Sequence, residues 1–204
     1  MKNKIIAVIG AGGKTTLIHR LAEEYRRNGA SVLVSTTTHM LVEPDTDLSC
    51  DSFAVMEKIK KTGYCMAGAV CPENSAKMQS LPEQMLHDLM KKVDYALIEA
   101  DGAKHYALKY PSEQEPVIPE GTTDVILVLG SWDLGKPCKD VVFRFEHMTS
   151  ALGISGDMKA DKQMLQWIWQ AYEEKLKNMD YQGHFHVLLS EKTDQGLMFH
   201  TLEE

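Results

Sequence analysis

The sequence predicts an α/β protein with a mainly parallel sheet flanked by helices. Three observations carry this. The apolar run Ile5-Ile6-Ala7-Val8-Ile9 leads into a glycine-rich loop and then an amphipathic segment. Two further runs, Ser31-Val32-Leu33-Val34-Ser35 and Tyr95-Ala96-Leu97-Ile98, each deliver polar residues to their carboxyl ends. Stretches of helical period lie between these runs, and alternation of short apolar strands with helices builds a parallel sheet.

The first element is the most informative. Gly10-Ala11-Gly12-Gly13-Lys14-Thr15-Thr16 follows a buried-type strand and opens a helix from Lys14 to Arg27, with Leu17, Ile18, Leu21, Ala22 and Tyr25 on one face and Asn28-Gly29 as its end. Closely spaced glycines let the backbone turn tightly and aim N–H groups inward, in front of the positive end of the following helix. This is a phosphate cradle. Lys14 would reach the outer phosphates, and the Thr15 hydroxyl would stand where a phosphate-bound Mg²⁺ needs an oxygen ligand. The longer Gly-x4-Gly-Lys-[Ser/Thr] form would require glycine at position 8, where the chain has Val8, so the loop is a shorter P-loop variant. Gly10 through Thr16 are the expected nucleotide-binding residues, and the expected ligands are a nucleoside triphosphate (ATP or GTP, the base open) and Mg²⁺.

Composition narrows the class. Lys and Arg number 22 against 29 Asp and Glu, a net charge of -7, which argues against a general nucleic-acid or anionic-membrane surface. No apolar run reaches membrane-spanning length, and Met1-Lys2-Asn3-Lys4 passes directly into strand, so a cytoplasmic protein is expected. Cys50, Cys65, Cys71 and Cys138 form no Cys-x-x-Cys pair, and neither a disulfide framework nor a zinc site is suggested. A single domain over residues 1–204 is expected, with room for a small insertion at about 40–80.

The second strand delivers Thr36, Thr37, Thr38 and His39 to its carboxyl end, where ligands bind in open α/β sheets. Thr37 or Thr38 is a candidate second metal or γ-phosphate contact, Thr37 being set at the metal, and Thr38 and His39 are candidate substrate residues. After a polar connection at 44–49 come a short helix over Asp51–Lys61, a strand over Tyr64–Val70 and a loop over Cys71–Ser80. Ser80-Leu81-Pro82-Glu83 resembles a capping box opening a helix to about Lys92.

The strand Tyr95–Ile98 runs into Glu99-Ala100-Asp101-Gly102. Alternation points Glu99 and Asp101 to the same side of the strand end, and two carboxylates there are costly unless they meet a cation. This behaves like a Walker B strand: Asp101 as metal ligand or orienter of metal-bound water, and Glu99 as general base. Residues 103–123 lack a periodic pattern and hold Lys104, His105, Lys109, Glu115 and three prolines, which reads as a structured wall of a substrate site.

Asp124–Gly130 is a further central strand, followed by a Gly/Pro-bounded loop at 131–137. Asp161–Met179 is the clearest helix, its Met164, Leu165, Ile168, Trp169, Tyr172, Leu176 and Met179 stripe reading as core. His186–Leu189 reads as the last strand, ending at Ser190-Glu191-Lys192-Thr193-Asp194. Compared with the Asn-Lys-x-Asp element of guanine-nucleotide proteins, Glu191 replaces asparagine, so guanine specificity does not follow. Little chain remains for another strand and helix, so either the sheet stops there or the polypeptide is shorter than its relatives.

Taken together, Gly-Ala-Gly-Gly-Lys-Thr-Thr, Ser-Thr-Thr-Thr-His-Met, Glu-Ala-Asp-Gly-Ala-Lys, Glu-Pro-Val-Ile-Pro and Leu-Gly-Lys-Pro, in that order over about Ile5 to Glu146, resemble the YqeC family. Its members are described as accessory proteins of selenium-dependent molybdenum hydroxylases or as selenium-cofactor biosynthesis proteins. The resemblance implies a bacterial cytoplasmic P-loop protein acting in maturation of such a hydroxylase. The family tends to show His-Arg followed by an acidic residue after Leu-Gly-Lys-Pro, whereas here Phe143-Arg144-Phe145-Glu146 keeps the arginine and loses the histidine. The short phosphate loop is also similar to that of Mur-type ligases, an analogy of form only.

The expected activity is Mg²⁺-dependent NTP hydrolysis or phosphoryl transfer, with Lys14, Glu99 and Asp101 catalytic and Thr15, Thr37 and Asp101 at the metal. Lys104, Glu115 and Arg144 join Thr38 and His39 as candidate substrate contacts, Lys104 and Arg144 being second-site cations. The expected partners are a small-molecule cofactor precursor or the hydroxylase apoenzyme. The alternative is a nucleotide-gated chaperone that delivers a cofactor to the apoenzyme.

Overall fold

The computed structural model describes residues 3–202, so Met1 and Lys2 of the expected start lie outside the described residues. The chain begins with β1 (Lys4–Gly10), α1 (Lys14–Arg27), β2 (Val32–Thr36), β3 (His39–Leu41), α2 (Ser52–Thr62) and β4 (Tyr64–Met66). It continues through β5 (Ala69–Val70), β6 (Lys77–Gln79), α3 (Glu83–Met90), β7 (Tyr95–Glu99), β8 (Leu108–Lys109) and β9 (Asp124–Gly130). The remainder is α4 (Cys138–Val141), β10 (Val142–Phe143), α5 (Phe145–Leu152), α6 (Lys162–Asn178), β11 (His184–Thr193) and β12 (Gly196–Thr201). The architecture is α/β with a mainly parallel sheet flanked by helices, as the sequence predicts. Two compact units divide the chain: Met1–Val8, Thr15–Gly102 and Val117–Asp124 form one, and Ile9–Lys14, Ala103–Pro116 and Val125–Glu204 the other.

In the first unit the parallel strands run β1-β7-β2-β4. Ile5 and Leu33 both pair with Ala96, so one pleat face carries Ile5, Leu33, Ala96 and Ile98. These pack with Val55 and Ile59 of α2 and Leu86, Leu89 and Met90 of α3 in one buried cluster. Each such side chain contributes roughly 1.5–3 kcal/mol on leaving water. Alternation turns Tyr95 to the opposite face, where its ring stacks on Tyr25 of α1 with centroids 3.7 Å apart.

The caps of α2 explain its bounds. Asp51 accepts from Phe53 N at 2.9 Å, and Gly63 ends the helix at a φ of 75°. The capping box expected at Ser80 does not form: the N-cap is Pro82, without a side-chain cap, and the Ser80 hydroxyl donates instead to Leu81 O at 2.9 Å. The strand expected over Tyr64–Val70 is broken. Gly68 lies under Met78, whose Sδ would be 2.6 Å from a Cβ there. The chain bends at that point, so β4 stays in the parallel run while β5 joins a separate antiparallel sheet of order β3-β6-β5.

In the second unit, β12, β11 and β9 are neighbours in that order. The strand expected over His186–Leu189 is longer, and the stretch 190–194 is not a strand-end loop. Ser190, Glu191 and Lys192 pair with Phe199, Met198 and Leu197 in an antiparallel hairpin. The sheet therefore does not stop at Asp194: β12 adds one more strand, antiparallel to the last. Thr193 tightens the turn by donating from Oγ1 to Gly196 O at 2.8 Å. The helix expected over Asp161–Met179 forms with Asp161 as N-cap, accepting from Met164 N at 3.0 Å, and its Met164, Leu165, Ile168, Tyr172 and Leu176 are buried. The short strands β8 and β10 pair in parallel, Leu108 with Val142 and Lys109 with Phe143.

Candidate functional site

The glycine loop, residues 10–13, joins the end of β1 to the start of α1. Gly10, Gly12 and Gly13 have φ values of 84°, 85° and 109°, a region that L side chains rarely adopt. Neighbouring backbone forbids a side chain at Gly10 and Gly12, while at Gly13 the tip of Leu197 would have to move. A Cβ on Gly10 would strike Val128 O, one on Gly12 would lie 2.5 Å from Gly130 N, and one on Gly13 would lie 2.5 Å from Leu197 Cδ1. Ala11 N donates to Val128 O at 3.0 Å, and the Ser190 hydroxyl donates to Gly12 O. Backbone and β11 thus fix the loop from outside, leaving its curvature set by conformation and not by side chains.

Lys14 is buried, at 5% exposure, and its ammonium donates to Gly10 O at 2.9 Å. The side chain therefore folds back along the loop it follows. The next residue, Thr15, donates from Oγ1 to Glu99 Oε2 at 2.8 Å. This bond joins the start of α1 to the last residue of β7, which the β1–β7 register makes possible by pairing Val8 with Glu99. Thr16 occupies the next position of the first helical turn, half-buried.

Glu99 is largely buried and Asp101 fully so, two residues apart across the end of β7. Main-chain bonds hold this end: Ala100 N donates to Val8 O and Val117 N to Ala100 O, both at 3.0 Å. Thr37 N donates to Glu99 O at 3.1 Å, while the Thr37 hydroxyl donates to Val117 O at 2.7 Å. Thr38 N donates to Thr36 Oγ1 at 3.0 Å, and His39 is an exposed residue on β3. Among the predicted residues of this unit, Thr15 and Glu99 meet directly through their side chains.

Among the predicted second-unit residues, Glu115 and Arg144 meet directly: Arg144 NH2 lies 2.9 Å from Glu115 Oε2. Two neighbours complete the cluster: Lys109, which the sequence reading places in the 103–123 wall without a role, and Ser112, which it does not single out. Lys109, fully buried, places its ammonium 2.6 Å from the same carboxylate oxygen, and the Ser112 hydroxyl accepts from Arg144 NH1. The available signal was a single lysine directly after Ala107-Leu108, since a lysine held in an apolar strand needs a partner. The Glu115–Pro116 peptide is cis. Among the described residues no group of three or more His, Cys, Asp or Glu is placed to hold a metal ion, and no helix is long and apolar enough to cross a membrane.

The YqeC family model, described as YqeC protein, matches residues 6–146. The chain belongs to the YqeC family. A YqeC relative from Escherichia coli (strain K12), "Uncharacterized protein YqeC", is 34% identical over 161 residues, covering 75% of this chain and 62% of its own length. No solved structure matches the chain. The YqeC match ends at the residue after Phe145, so it takes in the glycine loop, the Thr15–Glu99 pair and the Glu115–Arg144 pair, and leaves out α6, β11 and β12.

Proposed function

We propose that this YqeC chain binds a nucleoside triphosphate with Mg²⁺ and hydrolyses or transfers its terminal phosphate, in the maturation of a selenium-dependent molybdenum hydroxylase. The observation that carries the reading is the loop. Three glycines at positive φ, two of them against backbone that leaves no room for a side chain, followed by a buried lysine and the first turn of a helix, form a backbone cradle suited to phosphate oxygens.

The residues present fit a phosphate-bound Mg²⁺. Thr15 supplies a hydroxyl oxygen, and Glu99 and Asp101 supply carboxylates at the end of one strand. When bound, the ion neutralises charge on the phosphate oxygens. Lys14, whose ammonium donates to Gly10 O, is the positive charge assigned to the phosphate oxygens. Glu99 accepts from the Thr15 hydroxyl and is the group assigned to accept a proton from an attacking water or acceptor hydroxyl.

Steady-state phosphate release from ATP, GTP and CTP with Mg²⁺ tests the reading. It predicts turnover with one of them that a small-molecule acceptor increases. Nucleotide binding without turnover, coupled to affinity for a hydroxylase apoenzyme, would move the assignment to cofactor delivery.

A further inference from the structure

We propose a second anion-binding subsite, built around Phe143 and formed by Lys104 and Arg144, that takes the phosphate group of a small-molecule substrate. It lies within the second compact unit and uses none of residues 10–16, so it does not rest on the nucleotide reading.

Three cations surround one aromatic ring. The Lys104 ammonium, the Arg144 guanidinium and the Lys109 ammonium lie 5.3, 5.4 and 5.6 Å from the Phe143 ring centroid, within the range of cation–π attraction. The Tyr106 ring tilts against the same phenyl ring at 5.6 Å. Glu115 Oε2 collects two of the charges, Lys109 at 2.6 Å and Arg144 at 2.9 Å. Among these named groups one carboxylate faces three cations, so the positive charge is in excess.

The three cations differ in what they can reach. Lys109 is fully buried and acts on Glu115, which in turn fixes Arg144 together with Ser112. The Arg144 side chain keeps 22% of its surface, and Lys104 is exposed, its ammonium 5.3 Å from the centroid of the same ring. An arriving oxyanion therefore meets one oriented guanidinium and one ammonium, a pair suited to a phosphate dianion.

Backbone strain supports the same assignment independently. Lys104, His105 and Arg144 have φ values of 44°, 66° and 63°, three of the five non-glycine residues at positive φ among those described. Left-handed backbone at non-glycine residues costs about 1–3 kcal/mol each and collects where a side chain must be aimed. Here it aims the two cations that meet solvent.

The test is a titration of inorganic phosphate into ¹⁵N-labelled protein, following backbone amides. Amides at 104–106 and 143–145 are expected to shift saturably, with those of the glycine loop reporting separately on any binding there. Lys104→Gln, an exposed change, and Arg144→Lys, which keeps the charge beside Glu115, are each expected to raise the dissociation constant at that site about tenfold. The proposal is overturned if the amides at 104–106 and 143–145 do not move, or if either variant saturates at the wild-type concentration. Loss of nucleotide binding alone would leave it standing.

Discussion

The Thr15 hydroxyl donates to the Glu99 carboxylate at 2.8 Å, joining the first turn of the helix after the glycine loop to the last residue of a buried strand 84 positions later. Under the proposed function that carboxylate would exchange the Thr15 hydroxyl for a metal ion or a water. Glu99→Gln preserves an oxygen for Thr15 to donate to, so the melting temperature should stay within a few degrees of wild type. Phosphate release should fall about 10²–10⁴-fold if Glu99 is the base. A Glu99→Gln protein with wild-type turnover would remove Glu99 from the chemistry.

Gly12 and Gly29 share nearly the same backbone, φ 85° and 79°, but not the same surroundings. A Cβ on Gly29 meets nothing within 4 Å, whereas one on Gly12 meets backbone at 2.5, 2.6 and 2.7 Å. Gly29→Ala should therefore cost about 1–2 kcal/mol, the left-handed penalty alone. Gly12→Ala should cost roughly 3 kcal/mol or more, since overpacking adds to that penalty. Urea unfolding of the two variants checks the difference, and equal costs would mean the loop is not confined as described.

Asp94 accepts from both Ser31 N and Ser31 Oγ, at 2.8 and 2.7 Å, and these bonds hold its carboxyl below the usual carboxylate range. A depressed folded-state value means the contribution is full above the unfolded value of about 3.9 and is lost as pH falls through the folded one. Asp94→Ala should lower stability by about 1 kcal/mol at pH 7 through lost hydrogen bonds, and the gap from wild type should close as pH falls below the depressed folded-state value. A gap that persists there would contradict the assignment.

Cys50 is exposed, while Cys65, Cys71 and Cys138 are buried, and burial pushes the Cys65 thiol up to about 11. At pH 8 a disulfide reagent should titrate one thiol quickly in the folded protein and all four after denaturation. Fast loss of Cys65 would show that the core around β4 opens.

Much of this was legible in the chain because it is local. The helix at Lys14–Arg27 and the strand at Asp124–Gly130 fall on their expected bounds, each being fixed by a continuous pattern and a glycine at its end. The Tyr64–Val70 run broke where a tertiary contact intervenes, Gly68 lying under Met78, and the Ser80 capping box failed locally, its hydroxyl bonding the carbonyl oxygen of the next residue, Leu81. The last strand was read short because 190–194 was matched to a loop motif, although Thr193 and Gly196 carry an ordinary hairpin turn. At the site, the glycine loop is a contiguous signature, but the Thr15–Glu99 bond depends on strand register. The Lys109–Glu115–Arg144 cluster depends on pairing of β8 with β10, two strands of two residues each, and a pattern that short leaves no periodicity to read.

The most direct test is calorimetric binding of ATP, GTP and CTP, each with Mg²⁺, to wild-type protein and to Lys14→Ala. The account predicts Mg²⁺-dependent binding of one nucleotide, weakened at least about 100-fold when the ammonium near Gly10 O is removed, with the variant still folded. Folded wild-type protein that binds none of the three, or a Lys14→Ala variant that binds as wild type, would contradict it.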